Sequence, residues 1–271
     1  MAAFTIGFIV PFVYGIFLSF CKFSTVTDWK WVGFKNYTRI FVVNGSVDTT
    51  FIHSIWYTAL FTVVSVLIIN IVSFAIAMAL TKGIRGTNLF RTVFFLPNLI
   101  GGIVLSYVWL MIFNSILQNY SKTIVSSEWS AFWGLIAVVC WQQIGYMMII
   151  YIAGISGIDQ SLYEAATVDG AGRFQKMRHI TLPGLLPTFF VLLLMAIAGC
   201  LSNGLDQYLV FRNPNNMDTI RVLDLWVYDL GINGGSIPLS TVIGMAKSIV
   251  SVALLFGANS VSKALRGESI V

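Results

Sequence analysis

Six charged or titratable residues, Glu164, Asp169, Arg173, Lys176, Arg178 and His179, fall within one short stretch of a chain that is otherwise mostly apolar. Carboxylates beside a histidine are raw material for acid–base chemistry. Catalysis would also need a nucleophile–base pair or a metal set, and the sequence offers neither. His53 and His179 stand isolated from other ligand types. Cys21, Cys140 and Cys200 lie in apolar stretches without the paired spacing of a zinc site, and three thiols do not build a disulfide framework. They read as packing residues. No G-x4-G-K-[S/T] loop is present to cradle nucleotide phosphates, and Gly170-Ala171-Gly172 is an echo of a glycine-rich loop that follows no strand. The chain is therefore expected not to be an enzyme, to hold no cofactor or metal of its own, and to draw energy from a partner.

A second set of polar groups lies inside the apolar stretches. In Trp141-Gln142-Gln143-Ile144-Gly145-Tyr146, Gln142 and Tyr146 are four apart and Gln143 and Tyr146 three apart, so each pair shares a helix face. Amides in hydrocarbon must face a cavity or bond a neighbouring helix, and both readings are open. Asn98 follows Pro97, which can kink a helix and free a carbonyl. Cys200 lies one turn before Asn203, towards the end of a later apolar stretch. For Asn98 and Asn203, bend-satisfying and capping roles compete with a cavity role. Lys247 is the charge that falls inside an apolar span, where pairing, snorkelling to an interface and lining a pathway are all open.

These groups need elements to hold them, and composition says which. Hydrophobic residues make up 57% of the chain, charged residues 10%, and mean hydropathy is +0.84. A soluble domain carries roughly 25% charged residues, so this is an integral membrane protein. Six apolar spans are read at about 4–21, 57–80, 92–113, 132–153, 184–204 and 238–258, each near the ~20 residues that cross the hydrocarbon core. Backbone in lipid must satisfy its own hydrogen bonds, so the spans are helices. The expected fold is all-α, one membrane domain over residues 1–271 with a loop at 156–183. The first span lacks the basic start and small-residue cleavage site of a signal peptide. No Lys or Arg precedes Lys22, so further residues are expected before Met1. The net charge of +5 is modest and suits topology and lipid contact better than nucleic acid.

Orientation follows from the loops. Lys82, Arg85, Arg91, Arg173, Lys176, Arg178, Lys263 and Arg266 crowd about 54 loop residues on one side, while Lys22, Lys30, Lys35, Arg39, Lys122, Arg212 and Arg221 are spread over about 86 on the other. The denser side is expected to be cytoplasmic, with both termini there.

The polar stretch is on that same side. Ser161-Leu162-Tyr163-Glu164 fits a capping box that starts a short helix, ending near Asp169 at Gly170. Leu162, Ala165 and Ala166 share a face, slim enough to seat in a groove on another protein. A second polar segment runs from Arg173 to His179, and Pro183 opens the next membrane helix. Composition by itself leaves a plain connecting loop as the other reading.

The spacing Glu164-Ala165-Ala166, three residues, Gly170, nine residues, Ile180, one residue, Leu182-Pro183 resembles the cytoplasmic signature of permease subunits of bacterial ATP-driven ABC importers. "WVGFKNY" (Trp31–Tyr37) and "RGTNLFRTVFFLPNLIGGIV" (Arg85–Val104) look like the segments leaving helix 1 and opening helix 3 of carbohydrate permeases of the maltose type, and the tail is similar to permeases for oligosaccharides or polysaccharide fragments. Asn213-Pro214-Asn215-Asn216 departs from the glycine-glycine-proline turn many of them carry, which leaves the glycan open. The resemblance implies a type I ABC importer permease fold with six transmembrane helices and a cytoplasmic coupling helix. It implies that Glu164, Ala165, Ala166, Gly170, Leu182 and Pro183 couple to an ATPase, and that Asn98, Gln143, Tyr146 and Asn203, with the neighbouring Gln142 and Cys200, line a substrate path. It further implies a second permease, two ATPase subunits holding ATP and Mg, an extracellular or periplasmic solute-binding protein, and a bacterial plasma membrane location. Three other readings stay in view: an ABC importer for a non-sugar solute, an ion-coupled secondary transporter, for which the spans lack acids, and a membrane scaffold or sensor.

Overall fold

The computed structural model describes residues 2–23, 28–43, 46–47, 49–83, 85–120, 122–199 and 205–266. The described chain is helical apart from two short hairpins. Helix α1 (Ala2–Ser19) leads into an antiparallel hairpin, β1 (Cys21–Phe23) with β2 (Trp29–Trp31), where Cys21 sits opposite Trp31. A short helix α2 (Lys35–Thr38) and a second, two-residue hairpin follow, β3 (Val42–Val43) with β4 (Ser46–Val47). The longer helices are α3 (Thr50–Leu80), α4 (Thr87–Phe95), α5 (Gly102–Leu117), α6 (Glu128–Ser156), α9 (Leu182–Gly199) and α12 (Ile237–Arg266). Between them lie the short helices α7 (Gln160–Val168), α8 (Arg173–Lys176), α10 (Leu205–Phe211) and α11 (Leu223–Tyr228).

Among the described residues four helical runs are long and apolar enough to cross a membrane: Ala2–Ser19, Thr50–Leu80, Gly102–Tyr120 and Glu128–Ser156. Helices α3 and α6, at 31 and 29 residues, exceed the ~20 that span the hydrocarbon core, so they tilt or project beyond it. The stretch expected as one span over 92–113 is instead broken. Helix α4 passes into a 3-10 turn at Leu96–Leu99, Ile100 is extended with ψ 132°, and α5 starts afresh at Gly102. Pro97 cannot donate to the preceding turn, so the ladder is lost there.

Small and polar residues share the buried face of α3 with aromatic and aliphatic ones. Along α3, Ser54, Thr58, Thr62, Ser65, Asn70, Ser73 and Ala77 are buried against the protein, while Trp56, Val63, Leu67 and Ile71 point outward, exposed. Lipid tails are as apolar as leucine, so nothing drives leucines inward. Small and polar residues make helix contacts beside Tyr57, Phe61, Ile69 and Leu80. Ser73 donates from Oγ to the Ile144 carbonyl at 3.0 Å, and the Tyr151 hydroxyl donates to Asn70 Oδ1 at 2.6 Å, both joining α3 to α6. Phe61, Phe132 and Tyr208 meet edge to face, with ring centroids 5.4 and 5.8 Å apart, tying α3, α6 and α10 into one core. Helix α6 is the hub, with α3, α4, α9 and α10 packed on it.

One glycine permits this. A Cβ placed on Gly145 of α6 would lie 1.9 Å from the Phe94 carbonyl oxygen of α4. Only hydrogen lets the two backbones come this close.

Candidate functional site

The polar elbow between α6 and α9 is an ordered structure. Helix α7 is capped at its start by Asp159, whose Oδ1 accepts from the Ser161 backbone N–H at 2.9 Å. This corrects the expected Ser161–Glu164 capping box: the cap lies two residues earlier, and Glu164 is exposed. That backbone hydrogen bond, then the Ser161 side chain, holds the Asp159 carboxyl below its ordinary range. At the other end Gly170 has φ +74°, a left-handed conformation that side chains resist. Ala171 N–H bonds to the Ala166 carbonyl at 2.9 Å and Gly170 N–H to that of Thr167 at 3.1 Å. Together these form a Schellman closure. The glycine stop expected from the sequence is where the chain turns.

Side chains then brace the elbow. Tyr163 and Thr181 share a hydroxyl–hydroxyl bond of 2.9 Å, Lys176 Nζ donates to Thr167 Oγ1 at 2.6 Å, and Gln175 Oε1 accepts from Gly172 N–H at 2.7 Å. Helix α8 runs through a π turn (Met177–Thr181) into α9, so Pro183 does not open that helix as expected. It is the second residue of α9 but lies nearly three turns into the continuous run that starts at Arg173, and its i−4 carbonyl, on His179, lies in the widened turn. Pro187, a further turn on, also lies inside the helix.

The elbow presents its outer surface uncovered. Ala165 is exposed there, Ala166 is half-buried, and Leu162, Val168 and Phe174 are exposed apolar side chains at 52%, 88% and 67%, while Glu164 is exposed towards the inner side. Leu182 and Pro183 are exposed at the start of α9. On its inner side a recess of about 670 Å³ opens between α7 and the ends of α3 and α4, with Lys82, Arg91, Glu164 and Lys176 on its walls.

A second, buried site lies beneath the break between α4 and α5. Gln142 Nε2 donates to the Ile100 carbonyl at 3.1 Å, the oxygen that the lost helical ladder leaves free. Gln207 Nε2, on α10, donates to Gln142 Oε1 at 2.9 Å. Gln142 thus bonds neighbouring elements on both sides. The Gln143 side chain has no hydrogen-bond partner among the described residues. It lines a recess of about 220 Å³ with Gln142, Ser65, Gln207, Met147 and Met195 on the wall. Amides and a hydroxyl can donate to and accept from a ligand's hydroxyls, and none of them exchanges a proton near neutral pH.

Of the other residues proposed for a path, Asn98 and Tyr146 are not among the recess's described lining. Asn98 is half-buried in the 3-10 turn, and Tyr146 is half-buried one turn along α6. Cys200 and Asn203 fall outside the described residues. Lys247 finds a carboxylate: it bonds to Asp224 Oδ1, the two side chains only 17% and 16% exposed. Gln207, 7% exposed, and Ser65 were missed from the sequence. A glutamine in a short segment after α9 carries no helical period to mark it.

Comparison with known proteins places this geometry. The family described as "Binding-protein-dependent transport system inner membrane component" matches residues 71–266. The chain is 32% identical over 255 residues to the probable starch degradation products transport system permease protein AmyD of Thermoanaerobacterium thermosulfurigenes, covering 91% of this chain and 84% of the relative. It is 28% identical over 269 residues to the polygalacturonan/rhamnogalacturonan transport system permease protein YteP of Bacillus subtilis (strain 168), covering 94% and 81%. Among solved structures, a crystal structure of a bacterial ABC transporter involved in the import of the acidic polysaccharide alginate superposes with TM-score 0.84 at 23% identity, over 97% of this chain and 92% of that one. The fold is that of type I ABC importer permeases.

Proposed function

Because the chain belongs to the binding-protein-dependent transport system inner membrane component family, whose members are transport subunits and not enzymes, we propose that it forms one half of a carbohydrate path through the plasma membrane. Six helices cross the bilayer, the break between α4 and α5 interrupting the third. The polar elbow and both termini face the cytoplasm. A second, similar permease completes the path, and a solute-binding protein delivers an oligosaccharide from outside. Two ATPase subunits, which hold ATP and Mg, sit under the elbow. Helix α7 is the coupling helix. ATP binding closes the ATPases, α7 moves as one body with the elbow, and the path opens outward. Coupling between sites is reciprocal, so loaded binding protein raises ATP hydrolysis.

The observation that supports this reading most is the elbow itself. Glu164 and Ala165 stand in a helix that Gly170 closes, braced from within and bare on its outer face, where Leu162, Ala165 and Val168 are exposed. A connecting loop has no use for that rigidity. Carbohydrate follows from the amide-lined recess and from relatives whose named cargoes are starch degradation products and polygalacturonan. The test is ATP hydrolysis by the complex that co-purifies with this chain, with its binding protein, across a panel of oligosaccharides. Stimulation by a glycan supports the whole reading. An ATPase that co-purifies but answers to no glycan removes the carbohydrate assignment, and no co-purifying ATPase removes the docking role of α7.

A further inference from the structure

We propose that this chain's half of the path selects uncharged oligosaccharides, with Gln143 as the group that meets the sugar and the carboxylate of Asp206 as the group that turns acidic glycans away. The inference rests on the carbohydrate reading above and narrows its substrate class.

The recess beneath the helix break carries no charge among its described lining residues. Within it the two adjacent glutamines have different duties. The amide of Gln142 is spent on Ile100 and Gln207, so it positions the wall. The amide of Gln143 keeps its donor and acceptor for a ligand among the described residues. At about 220 Å³ the recess is smaller than the ~300–1,000 Å³ of a complete small-molecule pocket. It is sized as one wall of a path that another subunit closes. Amides beside the thioethers of Met147 and Met195 suit a sugar ring, polar at its rim and apolar on its faces.

The charges of the chain segment that carries Gln207 point the same way. From residue 205 to 247 the basic residues are Arg212, Arg221 and Lys247. Each has its own carboxylate: Arg212 pairs with Asp229 at 2.5 Å, Arg221 with Asp218 at 2.5 Å, and Lys247 with Asp224. None is left to receive a uronate. The remaining acid of that segment, Asp206, forms no ion pair among the described residues. It is exposed beside Gln207, and its Oδ2 lies 3.1 Å from where a Cβ on Gly102 would stand, at the start of α5. The local balance is one unpaired negative charge at the edge of an uncharged wall. A wall that must pass an anionic glycan needs free cations. An unpaired carboxylate rejects it by like-charge repulsion and still accepts from neutral hydroxyls.

The intact transporter with its binding protein, reconstituted in proteoliposomes, tests this with two size-matched probes, an α-linked glucose tetrasaccharide and a galacturonic acid tetrasaccharide. The expected result is uptake and ATPase stimulation about tenfold greater with the neutral probe, corresponding to ~1.4 kcal/mol of discrimination. Binding-protein preference is separated by varying the permease alone: Asp206→Asn and, independently, Gln143→Lys should each raise the uronate-to-glucan uptake ratio severalfold. Asp206 is exposed, so its isosteric variant is expected to fold. Uronate uptake equal to or above glucan uptake in the native protein overturns the inference and leaves the carbohydrate reading standing. So does a ratio that neither variant moves. Response to neither probe, with ATPase still bound, overturns the inference, and the carbohydrate reading falls with it only when the whole oligosaccharide panel is also without effect.

Discussion

Gln207 donates from Nε2 to Gln142 Oε1 across 2.9 Å, joining α10 to α6 over 65 positions of sequence, and Gln142 passes the bond on to the Ile100 carbonyl. The three groups form a short polar chain beside the break between α4 and α5. Replacing either glutamine by leucine orphans its partner, at a cost of about 1–3 kcal/mol for a buried polar group. The double variant should recover part of that loss. A double-mutant cycle on thermal unfolding in detergent is expected to yield a coupling of ~0.6–1.7 kcal/mol, the range seen between membrane helices. A coupling near zero would show the bond to be incidental.

Gly145 predicts a sharper failure. Any side chain there meets the Phe94 carbonyl at 1.9 Å, and backbone cannot swing away as a flexible side chain can. Gly145→Ala should separate α4 from α6 and lower stability by at least the ~1–3 kcal/mol typical of overpacking. Gly145→Leu should prevent accumulation in the membrane. Membrane content and melting temperature of the two variants check this, and native values for Gly145→Ala would contradict it.

Gly170 acts through backbone alone. Nothing lies within 4 Å of its would-be Cβ, and its φ is +74°. Gly170→Val should cost about 1–2 kcal/mol locally and loosen the end of α7, whereas Gly170→Asn, which tolerates this region, should remain close to native. The expected phenotype of the valine variant is a protein that inserts normally but hydrolyses ATP without matching uptake. Uptake per ATP is the readout.

The Lys247–Asp224 pair is largely buried, so breaking it from one side leaves a lone charge. Lys247→Met or Asp224→Leu should each destabilise by about 3–5 kcal/mol, and the double apolar variant should recover most of that. The same comparison decides what Lys247 is for. A double variant that folds and transports has lost only structure, and one that folds without transporting has lost the path.

Asp159 gives the elbow a dependence on pH. Its carboxyl is held below the ordinary aspartate range by the bond from Ser161, so the charged form is the one that caps α7. A carboxylate with a lowered folded pKa contributes stability in full above its unfolded value and loses it as pH falls through the folded value. The start of α7 should therefore be protected at neutral pH and fray on acidification below the usual aspartate range. Exchange of the Ser161 amide, corrected for the intrinsic effect of pH, measures this. Asp159→Asn keeps an acceptor and should remove the acid dependence.

Much of this molecule was legible before any coordinate. Apolar length dictates helices, because lipid offers the backbone no partner. The 3.6-residue period and a glycine that tolerates left-handed φ place α7 and its stop, since both are local matters of a few residues. The register of Glu164, Ala165, Ala166 and Gly170 needs nothing from the rest of the chain. Local rules failed where two acceptors competed for one start: Asp159 took the cap that Ser161 was expected to supply. They failed again at the span over 92–113, because Pro97 removes a donor but only the neighbouring helix decides whether the chain kinks or breaks. Here Gln142 holds the freed Ile100 carbonyl, which makes a full break tolerable in an apolar setting. What no window of sequence contains is which polar groups find one another. Gln142 with Gln207, Lys247 with Asp224 and Gly145 with Phe94 are separated by 65, 23 and 51 positions. Their meeting depends on the crossing of helices. Composition determined that buried amides and a lysine need partners, and tertiary packing alone chose them, leaving Gln143 and Asp206 without one among the described residues.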